Sequence, residues 1–240
     1  MILMVQLATR GRRDKFLDCL KLHVDMLSGK NDVFFNISCD EDDESMNNSN
    51  TVNSIYKIYQ SCFINFNRNT TKIEAINANV TERNFEVLLN TSDDMTPQIY
   101  GWDQEIRSAF EKNFPDYDGV VHFNDGVCEE GLNTLCIMGR PYYNRFGYIY
   151  WPEYKTYYCD NEFTEISKRL KRVIYIDKVI IKHDHHSFSN SKNYGDRDET
   201  FYRSEVHAKH DRNVWNNRLI HQNLGLDGHV WYQGYMEKAK

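Results

Sequence analysis

The chain has 240 residues, 40% hydrophobic and 14% aromatic, enough apolar side chain for one large α/β domain or two closely fused halves. Lys and Arg number 29 against 35 Asp and Glu, a formal charge of -6 that speaks against a general nucleic-acid binder, although Arg10, Arg12 and Arg13 gather where a phosphate-bearing ligand could use them. The six cysteines form no CxxC pair or zinc spacing, no apolar run approaches the roughly 20 residues of a membrane span, and the first apolar run precedes its basic residues, the reverse of a signal peptide; these features set the expectation of a cytoplasmic protein with buried thiols.

The first half alternates. Residues 2–8 (ILMVQLA) predict a buried strand ending on Thr9-Arg10-Gly11, and Phe16, Leu20, Val24 and Leu27 keep helical spacing up to Gly29. VFFNIS (33–38) predicts the second strand, which runs into the acidic loop CDEDDE (39–44). A polar stretch (45–54) leads to a short helix around 55–59; CFINF (62–66) predicts a strand, KIEAINANV (72–80) a helix, and FEVLLN (85–90) a strand that ends on Ser92-Asp93-Asp94. Such alternation implies a mostly parallel, doubly wound sheet, in which ligands bind beyond the carboxyl ends of the strands. Three of those ends here carry polar clusters.

The second half changes character. An amphipathic helix over about 102–114 leads through Pro115-Asp116-Tyr117-Asp118-Gly119 to the strand GVVHF, and LNTLCIM (132–138) predicts another. A very aromatic segment, GRPYYNRFGYIYWPEY, precedes the turn and helix of YYCDNEFTEISKRL. RVIYIDKVIIKHDHH predicts a hairpin ending in histidines. Beyond Ser187 the chain is polar, then helical over 199–222, with Trp215 and Leu219 as docking residues.

Four constellations carry chemistry. Adjacent aspartates leaving a strand (Asp93, Asp94) can hold a hard divalent cation that bridges a diphosphate, or Asp94 can cap a turn. In His183-Asp184-His185-His186, alternate residues share a face, so His183 and His185 could converge on the same ion, or the segment is a solvated strand end. The CDEDDE loop could accept hydrogen bonds from a base and ribose, or remain a solvated acidic face. Asp160 could serve as general base near an acceptor hydroxyl, as the N-cap of its helix, or as both.

In this order, the pieces resemble family 2 glycosyltransferases and related GT-A enzymes over about residues 1–186. TRGR looks like that family's nucleotide-contacting opening, with Thr9, Arg10 and Arg12; Asp40 matches its base-binding aspartate, with Asp43 a ribose neighbour; Lys72-Ile-Glu-Ala75-Ile-Asn77 is similar to its K-x-x-A-x-N element beside the donor. Ser92-Asp93-Asp94 takes the place of the DxD motif, FGYIYWPEY with CDNE resembles the acceptor-side segment, and His183 or His185 matches a late histidine placed on the metal. The chain departs from the pattern twice: serine stands first in the DxD, and Asp-Asn replaces the usual Glu-Asp, leaving Asp160 or Glu162 as base.

The resemblance implies a GT-A, Rossmann-like, mixed but mostly parallel sheet flanked by helices. It divides 1–186 into a nucleotide-sugar half (1–115) and an acceptor half (116–186); residues 187–240 lie beyond the resemblance and are expected to form a helical extension, a lid or an oligomer contact. It implies Mn²⁺ or Mg²⁺ on Asp94 and a histidine, Asp93 on ribose or metal water, a UDP-sugar donor, a carbohydrate or other hydroxyl acceptor, an inverting displacement with Asp160 as base, and a possible homo-oligomer. The rival readings are a nucleotidyltransferase, for which TRGRRDK is short of glycine, and a non-catalytic carbohydrate-binding protein of the same fold.

Overall fold

A computed structural model describes residues 1–185 and 199–226. In chain order the elements are β1 (Ile2–Thr9), α1 (Arg13–Asp25), β2 (Asp32–Asp40), α2 (Ser49–Ile58), β3 (Cys62–Asn67), α3 (Lys72–Asn77), β4 (Val87–Thr91), β5 (Met95–Pro97), α4 (Trp102–Asn113), β6 (Val120–Phe123), β7 (Ile137–Gly139), α5 (Arg140–Tyr143), α6 (Cys159–Arg169), β8 (Val173–Ile176), β9 (Ile181–His183), α7 (Glu199–Glu205) and α8 (Ala208–His221). Seven strands form one mixed sheet in the order β3-β2-β1-β4-β7-β6-β8, and β5 pairs with β9 in a small second sheet. β3, β2, β1 and β4 are parallel neighbours, whereas β7 runs antiparallel to β4 and β6.

Strand alternation sorts the core into two layers. Leu3, Val5 and Leu7 of β1 pack with Phe16 and Leu20 of α1 and Trp102, Ile106 and Phe110 of α4. Met4 points the other way, to Ile73 and Ile76 of α3, Phe163 and Ile166 of α6, and Val214 of α8. Gln6 shares Met4's face and would be costly to bury alone. Its amide donates to the Ala78 carbonyl (3.3 Å) and accepts from Asn36 (2.7 Å), whose Oδ1 in turn accepts from Asn65 (3.0 Å) and Arg83 (2.9 Å).

Several expectations need correction. α2 starts at Ser49, not near 55, because Asn48 caps it by accepting from the Thr51 amide at 2.9 Å. α3 ends at Asn77, before Asn79 adopts a left-handed φ of 57°. The strand expected over 132–138 is confined to Ile137–Gly139. The expected hairpin does not form: β8 pairs in parallel with β6, and β9 pairs antiparallel with β5. The C-terminal helix is two helices, broken at 206–207. His186, 187–198 and 227–240 lie outside the described residues.

All six cysteines are free thiols. No helix among the described residues is long and apolar enough to cross a membrane.

Candidate functional site

Parallel register brings the polar strand ends together. Thr9 lies opposite Cys39, Asp40 opposite Asn67, and Leu7 opposite Thr91, so the loops after β1, β2 and β4 leave one edge of the sheet. Beyond that edge opens a cleft of about 650 Å³ lined by Thr9, Arg10, Arg12, Asp40, Lys72, Asp93, Asp94, Asp160, His183 and His185, with Arg203, Glu205, His207 and Arg212 of the C-terminal helices on its far wall. That volume lies within the range of small-molecule sites.

On the β1–β2 side, the Arg10 guanidinium donates to Asp40 at 2.7 Å and also pairs with Asp42. The Arg10 hydrogen bond holds the exposed Asp42 carboxyl below its ordinary range. The other Asp40 oxygen accepts from Asn69 at 2.9 Å. Asp43 lies outside the cleft lining: it accepts from the Gly11 amide (2.7 Å) and the Ser45 hydroxyl (2.6 Å), tying the loop after β1 to the loop after β2. Gly11 has a φ of 67°, which glycine adopts without steric cost.

At the centre, the antiparallel register of Met95 with His183 sets Asp94 beside that histidine. The Asp184 amide donates to the Asp94 carbonyl at 2.8 Å, and His183 Nε2 lies 3.7 Å from Asp94 Oδ2. Alternation then sends Asp184 away from the histidines, onto Lys182 at 2.9 Å, while the His183 and His185 rings lie 5.4 Å apart. Burial pushes the Asp94 carboxyl up, but His183, Lys72 and the Ser92 hydroxyl outweigh it and hold Asp94 well below the usual carboxylate range. Ser92, at the first position of the triplet, donates to Asp94. Asp93 is 7% exposed and faces Arg12 at 3.2 Å and Lys15 at 3.9 Å; burial nevertheless raises its pKa.

Among the described residues no three His, Cys, Asp or Glu side chains form a closed metal cage. Asp94, His183 and His185 lie near one another at the cleft without forming such a group.

On the opposite wall Asp160 is the second residue of α6, so it is not the N-cap; that position belongs to Tyr158. Asp160 Oδ1 accepts from the Asn161 amide at 2.9 Å. Burial raises its pKa, against the pull of that amide and of the Lys72 and His183 charges. Glu162 points elsewhere. It is 2% exposed and enclosed by Arg218, at 2.6–2.9 Å through three hydrogen bonds, and by the Tyr154 hydroxyl at 2.8 Å.

Asn77 also lies outside the cleft lining. Its amide donates to the Tyr150 carbonyl (2.7 Å) and accepts from the Ile149 and Tyr150 amides (2.9 and 3.1 Å), which pins the aromatic segment to α3. Most of that segment is core: Tyr142, Tyr143, Tyr150 and Tyr154 are buried, and Tyr157 and Tyr158 line the cleft along with the edge of Tyr150. Sequence reasoning missed the wall formed by Arg203, Glu205, His207 and Arg212, which no motif marks.

No protein-family model matches the chain, and a search of curated proteins finds no match. Among solved structures it is similar to the mannosyltransferase PcManGT from Pyrobaculum calidifontis in complex with GDP-Man and Mn²⁺, with 13% identity and a TM-score of 0.59 over 99% of this chain and 73% of that one. It is also similar to residues 1–349 of S. aureus TarS, with 13% identity and a TM-score of 0.55 over 100% and 79% of the two chains. The same TarS fragment in complex with UDP-GlcNAc matches with a TM-score of 0.55 and 13% identity over 98% and 78%. A seven-stranded, mixed but mostly parallel sheet flanked by helices, matching these structures along nearly the whole chain, gives this protein a GT-A, Rossmann-like α/β fold.

Proposed function

We propose that the chain is a divalent-metal-dependent glycosyltransferase that moves a sugar from a nucleoside-diphosphate sugar, a UDP-sugar by preference, to an acceptor hydroxyl with inversion. The observation that carries this reading is the convergence, in a single cleft, of Asp40 with Arg10, of Asp94 with His183, and of Asp160.

Each group has a task its surroundings suit. Asp40, fixed by Arg10 and Asn69, accepts from the N–H of the base, and Asp93 accepts from a ribose hydroxyl or a metal-bound water. Thr9, Arg10, Arg12 and Lys72 flank the diphosphate. Asp94, His183 and His185 would hold Mn²⁺ or Mg²⁺, and Mn²⁺ suits the imidazoles better. A cation bound there would supply neutralising charge for the leaving diphosphate. Asp160 removes the proton from the acceptor hydroxyl as its oxygen bonds to the anomeric carbon and the bond from that carbon to the diphosphate breaks. Burial lifts the Asp160 carboxyl above the ordinary range for aspartate, nearer the working pH, as general-base catalysis favours. Glu162, spent on Arg218, is not the base. The free thiols suit a cytoplasmic location.

The test is incubation with UDP- and GDP-sugars in the presence of Mn²⁺. Nucleoside diphosphate release is expected. Release of pyrophosphate instead would support a nucleotidyltransferase, and absence of both products and of nucleotide binding would leave a non-catalytic protein.

A further inference from the structure

The loop 155–158, immediately before Asp160, is held by the C-terminal helices. Asp211 of α8 is fully buried, and its carboxylate accepts three backbone amides in succession: Lys155 (3.0 Å), Thr156 (2.8 Å) and Tyr157 (2.8 Å). Three charge-assisted hydrogen bonds from consecutive amides fix the path of a loop, and losing their acceptor leaves three part-buried donors without it. On either side of this carboxylate, the Tyr157 hydroxyl donates to Glu205 of α7 (2.7 Å) and Arg212 donates to the Tyr158 hydroxyl (3.1 Å).

What this clamp enforces is visible one residue on. Tyr158 has φ 63° and ψ -3°, a left-handed conformation that a bulky side chain adopts only where its surroundings over-determine it. The left-handed residue turns the chain from the clamped loop directly into α6, whose second residue is Asp160. The direction in which that carboxylate enters the cleft therefore depends on a conformation held from outside the α6 segment.

We propose that Asp211 is a positioning residue for Asp160: by binding the amides of 155–157 it imposes the left-handed turn at Tyr158 and so aims the base at the acceptor hydroxyl. This role rests on the function proposed above. It makes the C-terminal helices part of the chemical apparatus, contributing the geometry of the base besides a wall of the cleft.

The test compares wild type with Asp211→Asn, Asp211→Ala and Arg212→Ala, using the full chain. Turnover is read as nucleoside diphosphate released from UDP-N-acetylglucosamine or GDP-mannose with Mn²⁺, whichever the wild type turns over faster. A misplacement of the order of 1 Å costs about 100-fold, so Asp211→Ala should lose about 10- to 100-fold in kcat with the donor KM unchanged. Asp211→Asn, which keeps an acceptor oxygen, should fall between the two. Arg212→Ala removes an exposed side chain and cannot unfold the core, and should lose severalfold in kcat alone. Val214→Ala, on the same helix and outside the cleft lining, removes apolar packing without touching the Asp211 hydrogen bonds; it serves as the stability control and should keep wild-type kcat.

Equal kcat in wild type and both Asp211 variants overturns the positioning role and leaves the proposed function standing. So does a kcat loss in Val214→Ala matching that of Asp211→Ala, which would make the effect one of helix docking. A wild type that releases no nucleoside diphosphate from any nucleotide sugar removes the reading of the site and the positioning role together.

Discussion

Replacing Arg218 with Met should destabilise the protein by about 3–5 kcal/mol, the usual cost of leaving one partner of a buried ion pair behind. Glu162 and Arg218 are 2% and 1% exposed, and the guanidinium makes three hydrogen bonds of 2.6–2.9 Å to the carboxylate. In the variant Glu162 keeps the Tyr154 hydroxyl as its remaining hydrogen-bond donor. The Leu224 carbonyl loses its donor, and the Trp151 ring loses the cation that lies 3.7 Å above it. Such a loss consumes a large part of an ordinary 5–15 kcal/mol. The assay is urea denaturation followed by tryptophan fluorescence, with Glu162→Leu and the double variant completing a mutant cycle. The double variant should return to within about 1–2 kcal/mol of wild type, because an apolar pair no longer needs its charge balanced. A loss below about 1 kcal/mol in Arg218→Met, or a double variant that is merely the sum of the singles, would refute the reasoning. Glu162 would then again be available as a rival base.

Asp160→Asn should lower turnover by about 10²–10⁴ with donor affinity and melting temperature nearly unchanged, as measured by steady-state kinetics and calorimetry; near-normal turnover would mean the wrong base. Asp40→Ala should weaken nucleoside and nucleoside diphosphate alike by about 1–3 kcal/mol, the cost of one unpaired hydrogen bond, and unchanged calorimetric affinities would return the acidic loop to a structural role. His23 is fully buried, which pushes its pKa down to about 4. Its proton binds the unfolded chain first, so its contribution is intact above pH 6.5 and is lost as pH falls towards 4. About 3 kcal/mol should disappear across that window, and His23→Leu should flatten the acid side of the stability curve measured by denaturant titration.

The first half of the sheet was legible because each parallel strand is an apolar run that stops on polar residues. Those stops, at Thr9, Asp40 and Ser92, are the groups that parallel register lines up. Asp94 and a late histidine were expected on one ion, but the register that sets Asp94 beside His183 was not expected: β9 is fixed by distant β5, whereas the nearby β8 had suggested a local hairpin. α2 was read too short because Asn and Ser are poor helix formers, and the decisive cap at Asn48 looks like the rest of the polar stretch. An aromatic side chain suits core and cleft alike, so residue type alone does not say that Tyr142, Tyr143, Tyr150 and Tyr154 are core. α8 was legible through Trp215 and Leu219, which pack against the core, but its buried positions Asp211, Val214 and Arg218 were not: two of the three are charged and apolar periodicity does not mark them. Their partners, three loop amides and Glu162, belong to segments that only the fold brings alongside.

The proposed function is tested most directly by calorimetric titration of UDP and GDP into wild type and Asp94→Ala, with and without Mn²⁺. The expected result is nucleotide binding by the wild type that strengthens at least tenfold with Mn²⁺, and an Asp94→Ala protein that is folded but gains nothing from the metal. Metal-independent binding, equal metal dependence in the two proteins, or no binding of either nucleotide would contradict it.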